Sequence, residues 1–248
     1  MTLPDAILLD LDDTIVAFDA VADDCWMSLC KRCAPEISSV EADRLFLAIS
    51  RAREWFWSDL ERHQTGRRDL SAARRQVVKR AFDELGLDRE DIALRLADHY
   101  SEERERLVQP FPNAIETIVE LRRRGIALAL LTNGESRLQR AKIERFDLAR
   151  HFECILIEGE FGVGKPDHAV FAHVLSAVGR QPQVAWMIGD SLTFDMAPAV
   201  ELGIEAIWVD NIGKGLPERA SCKPNRIVSG IADVLSDELD GRPRGVGE

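Results

Sequence analysis

The apolar run Ile7-Leu8-Leu9 ends on Asp10 and is followed by Leu11-Asp12-Asp13-Thr14. An all-apolar run that meets carboxylates reads as a central strand of a parallel sheet, buried on both faces and opening into a site at its carboxyl end. The same grammar returns after Pro110 and Pro112, two prolines that stop any preceding helix. Helices are predicted at Ala114–Arg124, Ser136–Arg145, His168–Val178 and Phe194–Leu202. Strands are predicted at Ile126–Leu131, Cys154–Ile157, Val184–Ile188 and Ile204–Val209. Repeated βα units of this length predict an α/β fold with a doubly wound parallel sheet, whose ligand site lies at the carboxyl ends of the strands.

Between the first strand and this array the period changes. Ala20–Arg32, Val40–Glu61, Leu70–Leu85 and Arg89–Leu107 read as four helices, broken at Pro35, at Gly66-Arg67-Arg68 and at Gly86. Residues 18–107 are therefore expected to form a helical insertion into a core made of residues 1–17 and 108–240. Residues 241–248, rich in Gly and Arg with little to bury, are expected to be a disordered tail. A chain of 248 residues can bury such a core without disulfides. Its five cysteines do not repeat a zinc-knuckle spacing, and Cys30 and Cys33, one helical turn apart, read as buried reduced thiols. The formal charge of −11 opposes a nucleic-acid polymer or an anionic membrane surface as partner. The amino-terminal apolar run has no basic flank and is too short for a signal or a span, which predicts a cytoplasmic location.

Four polar clusters follow predicted strands: Asp10-Leu11-Asp12-Asp13-Thr14, Leu131-Thr132-Asn133-Gly134, Gly162-Val163-Gly164-Lys165-Pro166-Asp167, and Ile188-Gly189-Asp190-Ser191 with Asp195 after it. Each alone is an ordinary turn or helix cap. Together, at successive strand ends, they resemble the four signature motifs of the haloacid dehalogenase superfamily, and the insertion resembles that family's helical cap. The resemblance implies a Rossmann-like core with a four-helix cap domain and a magnesium-dependent phosphomonoester hydrolase of a small phosphorylated metabolite: a nucleotide, a sugar phosphate or a phospho-acid. It further implies Asp10 as nucleophile and metal ligand, Asp12 as general acid and base whose backbone carbonyl also meets the Mg²⁺, and Asp190 as the third ligand. Asp195 would sit in or near the metal's outer shell. Thr132, the Asn133 amide and Lys165 would hold the phosphoryl oxygens. The physical reading agrees, since a phosphomonoester dianion repels an attacking carboxylate unless fixed cations offset the charge.

Three of the five tryptophans lie in the insertion, and Trp55-Phe56-Trp57 reads more readily as packing than as a pocket wall. The basic stretch Glu61–Arg68 reads either as a solvated turn or as a loop whose Arg67 and Arg68 contact the leaving group of an anionic substrate. Within the same fold a phosphomutase and a 2-haloacid dehalogenase are alternatives, the latter opposed by Asp12. A non-catalytic phospho-acceptor module is the alternative of another class, opposed by the large insertion, which suits a lid. Oligomeric state has no sequence signal.

Overall fold

The computed structural model describes residues 3–37 and 40–235. They form two compact units, one from the residues before Phe18 together with those from Pro110 onward, the other from Phe18–Gln109. Strand β1 (Ala6–Leu9) opens the first unit and is buried along its whole length.

The second unit is helical. Its long helices are α1 (Ala22–Ile37), α2 (Ala42–Trp57), α4 (Leu70–Glu84) and α5 (Glu90–Leu107), with a short α3 (Leu60–Gly66) between α2 and α4. The long helices close a ring in which α1 packs on α2, α2 on α4, α4 on α5 and α5 on α1. Each contributes a stripe at helical spacing, such as Trp26, Leu29, Cys30, Cys33 and Ile37 on α1, to one shared apolar core. The Trp26 and Tyr100 rings stack at its centre, centroids 3.6 Å apart. All five cysteines are free, with Cys25, Cys30 and Cys33 buried.

Two features of this unit depart from the sequence reading. Pro35 does not end the first helix, which runs to Ile37 with the proline in its last turn. There the burial of Cys33 and Ile37 outweighs one lost amide bond. The stretch Glu61–Arg68, expected to be a loop, is helical as far as Gly66. Asp59 caps it by accepting from the Arg62 N–H at 2.9 Å. Gly66 is thus a packing residue: a Cβ there would lie 2.5 Å from the buried Phe56 ring.

Back in the first unit the chain runs α6 (Ala114–Arg123), β2 (Ala127–Thr132), α7 (Ser136–Arg145), β3 (Cys154–Ile157), α8 (Glu158–Phe161) and α9 (His168–Ala177). Next come β4 (Ala185–Gly189), α10 (Ala197–Leu202), β5 (Glu205–Val209) and β6 (Arg226–Val228). A wide π turn, Leu192–Met196, leads into α10, where the sequence pattern had predicted one continuous helix. The sheet is parallel with order β3-β2-β1-β4-β5-β6. The chain winds outward from β1 through β2 to β3, then crosses to β4 and winds the other way. That reversal beside β1 is where an open α/β sheet forms its binding crevice. β1 lies in register with both neighbours, Leu9 opposite Leu130 and Ile188, so Asp10 is the first residue to emerge at the switch point. The short edge strand β6 had no legible signal, being three residues long. Among the described residues no helix is long and apolar enough to cross a membrane. The tail expected at 241–248 lies outside the described residues.

Candidate active site

The carboxyl ends of β1, β2 and β4 bring together Asp10, Thr132, Asn133, Asp190 and Asp195, with Lys165 from the segment before α9. Asp10 is anchored by its own N–H, which donates to the Ile188 carbonyl at 3.0 Å. One carboxylate oxygen of each of Asp10, Asp190 and Asp195 lies within 4.8 Å of the others. Lys165 is buried among them, its Nζ donating to Asp10 Oδ1 at 2.5 Å and lying 2.6 Å from Asp195 Oδ1. Thr14 Oγ1 donates to Asp10 Oδ2 at 3.4 Å.

This arrangement is electrostatically incomplete. Three carboxylates against one ammonium leave 1 − 3 = −2 within a largely buried cluster. Burial, opposed by Lys165 and reinforced by Asp195, pushes the Asp10 carboxyl up to about 7. Burial, with Asp10 and Asp195 close by, pushes Asp190 up to about 9. Burial alone would depress Lys165, but Asp10 and Asp195 more than offset it and hold the ammonium charged. Three hard oxygen donors, a deficit of two positive charges and raised carboxyl ionisation are what a site for a divalent cation such as Mg²⁺ presents.

The backbone around the cluster is fixed by close approaches. Asn133 reads the Lys165 peptide in both directions, its Nδ2 donating to the Lys165 carbonyl at 2.8 Å and its Oδ1 accepting from the Lys165 N–H at 2.7 Å. Gly164 precedes that lysine because a Cβ there would meet Asn133 Oδ1 at 2.5 Å and Glu158 at 2.7 Å. At Gly189 a Cβ would run into the Asp195 carboxylate, which in turn accepts from the Ser191 N–H at 3.1 Å. Trp208 Nε1 donates to the Asp190 carbonyl at 2.6 Å. Asp13, in a left-handed conformation (φ 58°), gives its carbonyl to Asn211 Nδ2 at 2.9 Å.

The Asp12 carboxylate is not part of the three-acid group. It faces α7, where Lys142 Nζ donates to its two oxygens at 2.5 and 2.7 Å and Gln139 Nε2 to one of them at 3.0 Å. Gln139 also donates to Thr132 Oγ1 at 2.6 Å, tying the first two polar clusters together. Neither Gln139 nor Lys142 was singled out from the sequence. The available signal was their i, i+3 spacing on the helix that follows the second cluster. Arg67 and Arg68 belong to the helical unit, at the carboxyl end of α3; the Arg68 N–H closes that turn on the Thr65 carbonyl at 3.2 Å.

Comparison with known proteins places this geometry. The sequence profile described as haloacid dehalogenase-like hydrolase matches residues 4–203. Over 166 residues the chain is 40% identical to the phosphoserine phosphatase of Thermus thermophilus, a match covering 66% of this chain and 65% of that protein. The chain therefore spans a little under two thirds of that relative's length. A putative hydrolase of Bacillus subtilis, solved bound to magnesium, is similar with TM-score 0.73 at 20% identity over 95% of this chain and 99% of that one, a likeness of fold alone. A 2-haloacid dehalogenase of Pseudomonas syringae is similar with TM-score 0.58 at 26% identity over 96% and 99% of the two chains.

A carboxyl whose ionisation is raised in the fold costs stability as pH climbs from its unfolded value, about 4, through its folded value. The metal-free protein is therefore expected to lose thermal stability between about pH 5 and about pH 9 as Asp10 and Asp190 ionise. Because Mg²⁺ competes with those protons, it should raise Tm more at about pH 8 than at about pH 6. Thermal melts with and without Mg²⁺ check this; an equal shift at both pH values would contradict it.

Proposed function

The chain belongs to the haloacid dehalogenase-like hydrolases, and from that premise we propose that it hydrolyses phosphomonoesters of small metabolites through an aspartyl-phosphate on Asp10. The observation that carries this reading is the Asp10 carboxylate, first out of the central strand, held by buried Lys165 beside two further carboxylates. Asp10, Asp190 and the Asp12 carbonyl would hold the metal, which supplies positive charge beside the phosphoryl oxygens when bound. An Asp10 carboxylate oxygen attacks phosphorus, and the ester oxygen leaves, taking a proton from Asp12. A water molecule then gives its proton to Asp12 and attacks phosphorus, releasing phosphate and regenerating the Asp10 carboxylate. Lys165, the Thr132 hydroxyl and the Asn133 amide bind the phosphoryl oxygens in both steps.

Asp12 favours ester hydrolysis over dehalogenation on chemical grounds. A halide departs without a proton, whereas an alkoxide needs one, and a second carboxyl group two residues from the nucleophile can provide it when protonated. The substrate class is a phosphorylated hydroxy acid, amino acid, sugar or nucleoside; the likeness to a phosphoserine phosphatase puts phosphoserine into the panel to be tried.

Purified protein with Mg²⁺ is expected to release phosphate from members of such a panel, and Asp10→Asn to lower the rate by at least about a thousandfold while remaining folded. Near-normal turnover by Asp10→Asn would overturn the nucleophile assignment. The contact between Lys142 and Asp12 gives a separate expectation, because it holds the Asp12 carboxylate in one orientation. Lys142→Met should lower kcat on alkyl phosphates by about 10- to 100-fold with little change in KM. With p-nitrophenyl phosphate, whose leaving group needs no proton, the first step followed in a single turnover should be slowed much less than with an alkyl phosphate, while the water-dependent second step slows for both, and Lys142→Arg should recover part of each loss. A first step slowed equally for both ester types would argue against this positioning role.

A further inference from the structure

The helical unit encloses a cavity of about 340 Å³ that the proposed phosphoryl chemistry does not use. Its walls are aromatic and cationic: Trp26, Trp57 and Tyr100 meet Arg53, Arg74 and Arg104 there. Two of these arginines are already matched. Arg104 contacts the Asp19 carboxylate and donates to the Phe18 carbonyl and to Tyr100 Oη. Arg53 pairs with Asp23 at 2.5 Å.

Arg74 is different. It is 5% exposed, yet among the described residues no carboxylate lies within ion-pair reach of it and it donates no hydrogen bond. What it meets is the face of Tyr100, whose ring centroid is 5.2 Å from the guanidinium carbon. Burial and the nearby Arg104 lower its ionisation to about 10, so it stays charged at neutral pH. A buried guanidinium left without an anion is costly, and a fold retains one where something else completes it.

We propose that this cavity binds a small organic carboxylate through Arg74, with the aromatic walls taking its apolar body. The charge balance selects the class. Arg53 and Arg104 are each paired with an aspartate, while Arg74 has no carboxylate in contact and only Glu105 acting at longer range, which suits one added monoanion rather than a phosphate dianion. The planar fork of a guanidinium matches a carboxylate in two parallel hydrogen bonds. The volume lies at the small end of ligand pockets, room for a body about the size of one or two rings. The lining residues all belong to the helical unit, so the carboxylate is read as a separate ligand of that unit.

The test uses the full chain, benzoate as probe and benzamide as its neutral counterpart. Benzoate is expected to bind saturably at millimolar concentration, shifting the indole N–H resonances of Trp26 and Trp57 in NMR spectra, and benzamide is not. Arg74→Met should weaken benzoate at least about tenfold, with Arg74→Lys in between. A merely structural Arg74 would lower Tm when replaced. A guanidinium kept for a ligand leaves the Tm of Arg74→Met equal or higher, because an unpaired buried charge has been removed. Equal responses to benzoate and benzamide, or no saturable response to benzoate, would overturn the proposal without reference to any variant.

Neither binding nor melting requires turnover, so this site stands or falls apart from the phosphatase reading.

Discussion

Lys165 sits between two carboxylates at the end of a buried strand, and the rest of the core unit is arranged around that contact. Like charges about 4 Å apart repel by about 4 kcal/mol at the effective dielectric of a protein. Burial, reinforced by the neighbouring carboxylates, pushes Asp10 and Asp190 toward protonation. One ammonium offsets part of this and leaves a deficit of the kind a divalent cation can fill. Each device around the cluster holds that ammonium or those carboxylates in place. Asn133 clamps the Lys165 peptide, Gly164 lets the clamp close, and Gly189 makes room for Asp195. The parallel sheet supplies the frame, because only at its switch point can residues so distant in sequence emerge side by side.

The two units divide the chemistry. The core presents acids and a lysine at strand ends, where backbone register fixes positions closely. The helical unit presents arginines and aromatic rings from a closed ring of helices, with long side chains and one guanidinium that lacks an anion. The phosphoryl transfer we propose is mostly charge and positioning, for which the core has the groups. Selection among small molecules needs a shaped apolar volume with a few polar contacts, and the helical cavity has that character.

Much of this is legible in the sequence. The apolar runs ending in Asp10, Thr132 and Gly189 signal strands because a strand buried on both faces must be apolar throughout, and turn residues mark where it ends. Long-range pairing was less legible. Lys142 and Gln139 reach Asp12 only because α7 lies beside β1's exit, and nothing in a run of polar helix residues says which one turns inward. Arg74 looks like any surface arginine of an amphipathic helix until α1, α2 and α5 close around it. Pro35 is read as a helix breaker by intrinsic preference, and the packing of Ile37 overrides that preference, whereas Gly66 does end its helix and also makes room for the Phe56 ring.

The central claim is that Asp10 carries the phosphoryl group. Quenching the protein in acid during turnover of a phosphomonoester, reducing with borohydride and mapping peptides by mass spectrometry tests it directly. An acyl phosphate is converted by this treatment to the corresponding alcohol. The account predicts homoserine at position 10 in the turning-over sample and unmodified Asp10 without substrate. Reduction at any other residue, or an unmodified Asp10 under conditions that trap the acyl phosphate, would contradict it.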